Sequence, residues 1–493
     1  MTSAAAVPAA ANGTAAPRLR RDAVGLTGAV IMSAAIMGPA VSTFFNPQFS
    51  TPFSGEATPF VYLACVIALL IVASGIAEMA RELPSAGAFY TYVTRGLGPR
   101  AGFVTGGLMF VAYALLPPAE VGLIGSYLQN TFRAEFDVNI PWWLIGLVPA
   151  GLMVFLGFEG IRSSLRTALV LFAVEVAIVL LLALIVVGKG GESGLTLHPL
   201  TPGASPNGFD GLTTGFVFAA LSFVGFEAAT TLADETREPR RIVPRAVLWS
   251  VAGVGALYVF CIWAEVVGLG AEQTNALDGS STPWNDLAAT YASWMKWPVI
   301  VASVSSMFAV MINSSNGIVR ILSTMGREGL LPRTLAYIHP RHLTPAHAVF
   351  ATGAFAIVLA LAVGAIAGGL GDPLAGANVY GYLGFLLTLG ILPVYVLTNL
   401  AAARYFASTG RFNLIRHGVL PLGGAALMVA LLVGQIVEQT VRPYTWFPWV
   451  IVIWVVLMAL GALWLGRARP AQLRLAGAVM GTADEPVREM VVA

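Results

Sequence analysis

The sequence predicts an all-α membrane protein with about twelve membrane-spanning helices. Of its 493 residues, 57% are hydrophobic and only 11% are charged, and the mean hydropathy is +0.79. A soluble domain of this size needs a far more charged surface. The apolar residues also form uninterrupted blocks of roughly 18 to 25 residues, the length that crosses about 30 Å of hydrocarbon at about 1.5 Å per residue.

Twelve apolar blocks stand between polar or Pro/Gly-rich segments, and each is predicted to form one span. In chain order they cover residues 24–46, 58–79, 101–130, 142–159, 167–188, 211–232, 246–270, 297–323, 346–369, 377–400, 418–438 and 446–466. A short helix is expected around Trp284 to Tyr291, between spans 7 and 8. Residues 1–23 and 467–493 are predicted to be tails, the first of them disordered, and no large soluble domain is left.

Basic residues predict the orientation of the spans. With both termini in the cytoplasm, only four of the 27 Lys and Arg residues fall outside: Arg133, Lys189, Lys296 and Arg442. Because cytoplasmic loops are enriched in Lys and Arg, this orientation is strongly favoured. The apolar spans make the lipid bilayer the expected surrounding of the protein. The net charge is only +2, so no nucleic-acid partner is predicted.

Glycine and proline interrupt the first predicted span near its middle. Pro39 lacks a backbone donor and Gly38 lets the chain open, so we expect the helix to break there. Such a break frees the carbonyl groups before it and the N–H groups after it. Irregular backbone at membrane depth is tolerated only where it is buried or lines a watery cavity.

The sixth span carries a second glycine at a similar depth. Gly225 lies in the stretch 221–227 (LSFVGFE), between small polar and charged neighbours. If spans 1–5 (24–188) and spans 6–10 (211–400) are two repeats, the first and sixth spans correspond. Paired interruptions at equivalent positions indicate the binding site of a transporter, although glycine and proline can also simply kink a membrane helix.

Three stretches follow spans 2, 6 and 8: 78–90 (EMARELPSAGAFY), 234–245 (DETREPRRIVPR) and 320–332 (RILSTMGREGLLP). Together with 223–227 (FVGFE), they make the chain resemble the bacterial permeases of the amino acid-polyamine-organocation superfamily over spans 1 to 10. The resemblance implies a 5+5 inverted-repeat (LeuT-like) bundle over 24–400, with two peripheral helices within 401–466. It also implies alternating access, a substrate held at the breaks of helices 1 and 6, and a bacterial cytoplasmic membrane.

The predicted substrate site consists of the residues on both sides of the two breaks. They are Ile36, Met37, Gly38, Pro39, Ala40, Val41, Ser42, Ser222, Phe223, Gly225 and Phe226. The carboxylate of an amino acid suits the N–H groups of residues 40–42 at the positive end of a half-helix. Its ammonium suits the carbonyl groups near residues 36–37 and 222–223. Phe223 and Phe226 either wall the pocket or are ordinary packing aromatics.

The first break departs from the resemblance. Many carriers of the superfamily have a sequence similar to Gly-Ser-Gly at this break, whereas this chain has Gly38-Pro39-Ala40. A proline at this break, together with Pro117-Pro118 in span 3, is similar to the pattern in some bacterial diamine importers. An importer of polyamines or diamines, with acids such as Glu120 and Glu227 holding two ammonium groups, is therefore the alternative to an amino acid carrier.

Acidic residues inside the spans are candidates for ion coupling. Away from the span ends there are four glutamates, and a charge at mid-bilayer costs on the order of 3 kcal/mol or more. Glu175, Glu227 and Glu120 are the coupling candidates, while Glu265 is expected to reach the outer interface. A proton is the expected coupling ion. Sodium stays open because Ser303, Ser305 and Ser306 can supply hydroxyl ligands, and no cofactor or metal centre is predicted.

The favoured function is a secondary active permease that moves amino acids by symport or exchange. An enzyme is not expected, because the five histidines fall in loops or at span ends. A channel is not favoured either, since no repeated selectivity element is visible. A membrane sensor without transport is the less favoured alternative. The expected partner is a small molecule, an amino acid or an amine.

Overall fold

A computed structural model describes residues 24–468 except 86, 161–164, 193, 232, 234–235, 276–281, 328–330 and 438–440. The side chains of residues 165–169 are also outside this description. The predicted tails therefore lie outside the described residues, apart from 467–468. Residues 86, 234–235 and 328–330 of the three family-like stretches also lie outside them. The described part is helical and contains no β-strand.

The described residues form the following α-helices in chain order. They are α1 (Leu26–Ile36), α2 (Pro39–Phe44), α3 (Asn46–Ser54), α4 (Thr58–Glu82), α5 (Ala88–Leu97), α6 (Pro99–Ala114), α7 (Leu116–Phe136), α8 (Trp142–Glu159), α9 (Leu165–Gly188), α10 (Gly208–Leu221), α11 (Ala228–Thr231), α12 (Pro239–Leu269), α13 (Ala271–Asn275), α14 (Pro283–Tyr291), α15 (Lys296–Arg327), α16 (Ala346–Ile366), α17 (Ala375–Ser408), α18 (Leu420–Val437) and α19 (Phe447–Ala468). A π-helical turn, Leu414–Val419, leads into α18.

The helices confirm the predicted fold class. Ten segments of the described residues are long and apolar enough to cross a membrane. Two shorter apolar helices, α1 and α10, belong to the interrupted first and sixth spans. Each predicted span overlaps at least one helix, and span 3 is divided between α6 and α7. The chain is a multi-pass, all-α membrane protein.

Local sequence explains where many of the helices begin. Proline stands in the first turn of α2, α4, α6, α7, α12 and α14. Its fixed φ suits that position, and its missing N–H is no loss there. Because of Pro239, α12 begins well before the predicted residue 246. The short helix predicted near Trp284 is confirmed as α14.

The interrupted helices lie at the centre of the bundle. The first half-helix, α1, packs against α12, and α2 packs against α9 and α15. The second interrupted helix begins with α10, which packs against α3, α4 and α17. A backbone break exposes polar groups, so enclosure by other helices is the condition under which such a break is stable in a membrane.

Candidate functional site

The first break contains two residues, Met37 and Gly38, between α1 and α2. Gly38 has φ +59°, a left-handed conformation that glycine adopts without steric cost. A Cβ atom added to Gly38 would lie 2.6 Å from Cγ1 of Val41 and 2.8 Å from Cγ2 of Val310. Space and backbone conformation both require glycine here, and the predicted break is confirmed.

The second break separates α10, which ends at Leu221, from α11, which begins at Ala228. The residues between them form consecutive turns, and Gly225 has φ +110°. A Cβ added to Gly225 would lie 2.6 Å from Cγ2 of Ile36. The two breaks are therefore both present and in direct contact with each other.

Side-chain hydroxyl groups form hydrogen bonds with two backbone carbonyl oxygens at the breaks. Ser42 Oγ donates to Met37 O at 2.7 Å and lies 3.4 Å from Ser222 O. The Tyr258 hydroxyl also donates to Met37 O, at 3.2 Å. These are the carbonyl positions where a substrate ammonium was predicted, and in this conformation the protein's own hydroxyls satisfy them.

The hydrogen bonding of the N–H groups at the start of α2 differs from the prediction. The N–H of Val41 donates to Ser306 Oγ at 3.2 Å, and that of Ser42 donates to Gly38 O at 2.8 Å. Within the described part of the chain, the N–H of Ala40 makes no such hydrogen bond. The expectation of three open N–H groups was therefore wrong for two of them, because α15 supplies a hydroxyl and α2 closes its own first turn.

A polar network that the sequence did not reveal joins the breaks to two further helices. Asn46 Oδ1 accepts a hydrogen bond from the Tyr380 hydroxyl at 2.7 Å, and its Nδ2 donates to Ser222 Oγ at 2.8 Å. Ser222 Oγ also lies 2.9 Å from the Tyr62 hydroxyl. All four residues are buried. Their only signal in the sequence is that a polar side chain inside a span must find a partner.

The two phenylalanines of the second break face the protein interior. Phe223 packs edge-on against Tyr258 with ring centroids 5.3 Å apart, and Phe226 lies 5.5 Å from Tyr395. Both side chains are fully buried. They are not lipid-facing, and their rings help to enclose the break.

Two of the coupling candidates have hydrogen-bond partners. The Glu227 carboxyl accepts from the N–H of Gly225 at 3.2 Å and from the Tyr113 hydroxyl at 2.5 Å, so it joins the second break to α6. Glu175 is buried in α9, and its Oε1 accepts from Ser305 Oγ at 3.4 Å. Since the next residue, Ser306, holds the N–H of Val41, Glu175 lies beside the start of α2.

Aromatic rings close the site on the side to which α2 leads. Phe44 packs against Trp284 of α14 at 4.8 Å, and Phe45 packs edge-on against Tyr127 of α7 at 5.0 Å. Trp284 Nε1 in turn donates to Glu265 Oε2 at 3.0 Å. Glu265 is only 5% exposed. The expectation that it reaches the interface was wrong, because α14 covers it and supplies a donor.

The hydrogen bond from Trp284 to Glu265 leads to a prediction about stability. Trp284→Phe keeps the aromatic packing on Phe44 but leaves the Glu265 carboxyl without its donor. We expect a lower thermal unfolding midpoint of the purified protein, corresponding to about 1 to 3 kcal/mol for an unsatisfied buried polar group. Trp294→Phe is the matched control, because Trp294 is 65% exposed. Equal midpoints for the two variants would show that the hydrogen bond contributes nothing.

Backbone contacts close the site on the opposite side, where α1 begins. Ser33 Oγ accepts from the N–H of Ala229 at 2.8 Å. The N–H of Arg237 donates to Val24 O at 3.0 Å, next to an isolated bridge between Val24 and Thr236. The breaks are thus closed toward both sides in this conformation, so a bound molecule enters or leaves only after one closure opens.

The family model for amino acid permeases matches residues 51–466. The chain belongs to the amino acid permease family. The matched region contains the second break, the acids at Glu120, Glu175 and Glu227, and every helix from α4 to α18. Proteins of this family are transporters of small molecules, in agreement with the predicted class.

Three curated relatives show how broad the family is. The permease is 25% identical over 342 residues to the low-affinity putrescine importer PlaP of Escherichia coli (strain K12), covering 69% of this chain and 74% of the relative. It is 25% identical over 343 residues to the branched-chain amino acid permease BcaP of Bacillus subtilis (strain 168), covering 66% and 71%. It is 26% identical over 326 residues to the chloroplastic cationic amino acid transporter 7 of Arabidopsis thaliana, covering 63% and 55%.

Proposed function

We propose that the permease carries amino acids across the bacterial cytoplasmic membrane and holds each one between the two helix breaks. The observation that carries this proposal is the direct contact of the breaks, with Gly225 against Ile36. The open N–H of Ala40 is the place for the substrate carboxylate. The carbonyl oxygens of Met37 and Ser222 are the place for its ammonium, once the hydroxyl of Ser42 turns away.

Alternating access follows from the two closures. The aromatic closure, Phe44 and Phe45 with Trp284 and Tyr127, blocks one side, and the contact between Val24 and Arg237 blocks the other. If residues 24–188 and 211–400 move as two repeats around a fixed site, one closure opens while the other holds. We place the side of Val24 in the cytoplasm, because 23 of 27 Lys and Arg residues then fall inside.

We place the coupling ion at Glu175. A carboxyl that is 6% exposed and hydrogen-bonded to Ser305 is costly when charged, so it favours a bound proton or a cation. Through Ser306 it lies beside the start of α2, where occupancy of Glu175 can influence the first break. Of the two ions, we favour the proton because a single carboxyl suffices to carry it.

Glu175→Gln tests the coupling. With the outside more acidic, protons run inward with substrate, so the wild type should accumulate amino acid above the outside concentration. We expect the variant to lose about tenfold or more of this accumulation, since it cannot release a proton, while counterflow without an ion gradient stays within about twofold. Glu192→Gln, at an exposed loop position, is the matched control.

Normal accumulation by the Glu175→Gln protein would exclude Glu175 as the coupling group. Replacing sodium with choline separates the two ions in the same vesicles. Accumulation that persists in choline and follows the pH gradient supports the proton, and accumulation that requires sodium contradicts it.

The function itself is tested by uptake into liposomes that contain the purified permease. A panel of labelled amino acids and amines is compared with empty liposomes, and saturable uptake of at least one amino acid is expected. Uptake of amines alone would favour the second candidate, a diamine importer. That candidate is supported by Glu120, whose carboxyl group has no hydrogen-bond partner among the described residues, and by the similarity to a putrescine importer.

A further inference from the structure

Glu120, on α7, is fully buried, and neither carboxyl oxygen has a hydrogen-bond partner among the described residues. An unpaired carboxylate inside a membrane protein is strongly unfavourable, so such a group carries a proton or meets a cation. Glu175 and Glu227 differ in this respect, because both accept hydrogen bonds from the protein. Of the three coupling candidates, Glu120 is thus the one whose carboxyl group lacks a hydrogen-bond partner among the described residues.

The neighbours of Glu120 along α7 show which way this residue faces. Gly125 and Val121 contact α8, with Val121 O against Gly146. Gly122 faces α17, where a Cβ added to it would lie 2.6 Å from Gly376 O. At 100° per residue, Glu120 lies on the face of α7 turned away from α8. That face is the one on which Tyr127 contacts Phe45 of the first interrupted helix.

The depth of Glu120 matches that of the first break. Glu120 precedes Tyr127 by two helical turns, about 10 Å along α7. Gly38 precedes Phe45 by the same number of residues, and the first and third spans cross the membrane in the same direction. Because Tyr127 and Phe45 touch at 5.0 Å, Glu120 and Gly38 lie at similar depths. Glu120 also lies close enough to the Tyr380 hydroxyl to interact with it electrostatically.

We infer that Glu120 binds an ammonium group of the substrate other than the one held at the breaks. The preferred substrates are then amino acids or amines that carry two ammonium groups. The inference rests on the proposed function and specifies its substrate class. Glu227 is not the second acid, because its oxygens are engaged by Gly225 and Tyr113.

Two pairs of ligands isolate the effect of a second ammonium group on binding. Lysine and norleucine differ by the terminal ammonium, and putrescine and 1-aminobutane differ in the same way. Inhibition of labelled substrate uptake into liposomes is measured for all four. We expect the wild type to prefer the member with two ammonium groups by about tenfold or more within at least one pair. The lysine pair reports on amino acids and the putrescine pair on amines without a carboxylate.

Glu120→Gln keeps the size of the side chain and removes its charge. We expect the preference within the pair to fall to about twofold or less, while inhibition by the member with one ammonium stays unchanged. Glu120→Asp, which keeps the charge, should retain part of the preference and provides a second reading if the glutamine variant is unstable. Glu192→Gln, at an exposed position between α9 and α10, should behave as the wild type.

Each outcome bears on one of the two proposals. Equal inhibition within both pairs by a wild type that transports amino acids would overturn the role of Glu120 and leave the permease function standing. An equal loss for all four ligands in Glu120→Gln would also overturn it, because Glu120 would then be a structural acid. Absence of uptake of any amino acid or amine by the wild type would overturn the permease function together with this inference.

Discussion

Gly38→Val is expected to abolish amino acid uptake. The backbone at Gly38 has φ +59°, which a β-branched residue adopts only with strain of about 1 to 3 kcal/mol. The new Cβ would also meet Val41 and Val310 at 2.6 and 2.8 Å. Both effects displace the start of α2, where we propose that the substrate carboxylate binds. Uptake into liposomes should fall about tenfold or more.

Gly225→Val tests the same break contact from the other side. At φ +110°, its Cβ would lie 2.6 Å from Ile36 and push the two breaks apart. Gly317→Ala is the matched control, because Gly317 is helical in α15 and a Cβ there meets nothing within 4 Å. If either valine variant takes up amino acid as fast as the wild type, at equal amounts of folded protein, a substrate site at the breaks is contradicted.

Asn46→Leu is expected to have the second large effect. Leucine is similar in size, but it removes the amide that accepts from the Tyr380 hydroxyl at 2.7 Å and donates to Ser222 Oγ at 2.8 Å. Ser222 Oγ keeps the Tyr62 hydroxyl at 2.9 Å, so the cost is that of the buried Tyr380 hydroxyl without its acceptor, about 1 to 3 kcal/mol. We expect lower thermal stability and uptake reduced about tenfold or more, since the network holds α3 against the second break and α17.

A double-mutant cycle with Tyr380→Phe separates the network from a general loss of stability. Tyr380→Phe removes only the hydroxyl that donates to Asn46 Oδ1. If the two residues act together, the double variant loses less unfolding free energy than the sum of the single variants. Strict additivity would show that Asn46 and Tyr380 do not work as one unit.

Much of the fold could be predicted from local sequence. A run of apolar residues long enough to cross the bilayer is a helix, because every backbone group must bond within the segment. Gly38 with Pro39 indicated the first break, since one residue permits a left-handed turn and the other ends a helix. The boundary of α12 was less accurate, because Pro239 extends that helix beyond the apolar block.

The contacts within the site could not be predicted in the same way. Asn46 meets Tyr380 across 334 positions of sequence, and no local pattern encodes such a pair. The burial of Glu265 depends on α14 folding back over it, and the direction of Glu120 depends on the rotation of α7 against α8 and α17. These features follow from helix packing, which is decided by side chains distant in sequence.

Access to Ala40 tests most directly whether the site lies at the breaks and opens to each side in turn. Ala40 is fully buried in this conformation, and so are the two native cysteines, Cys65 and Cys261. In a transport-competent Ala40→Cys variant with both native cysteines replaced by alanine, a membrane-impermeant thiol reagent should label the new cysteine from either face of the membrane. A transported amino acid should slow both reactions. Labelling from one face only, or labelling that the amino acid does not slow, would contradict a substrate site at these breaks.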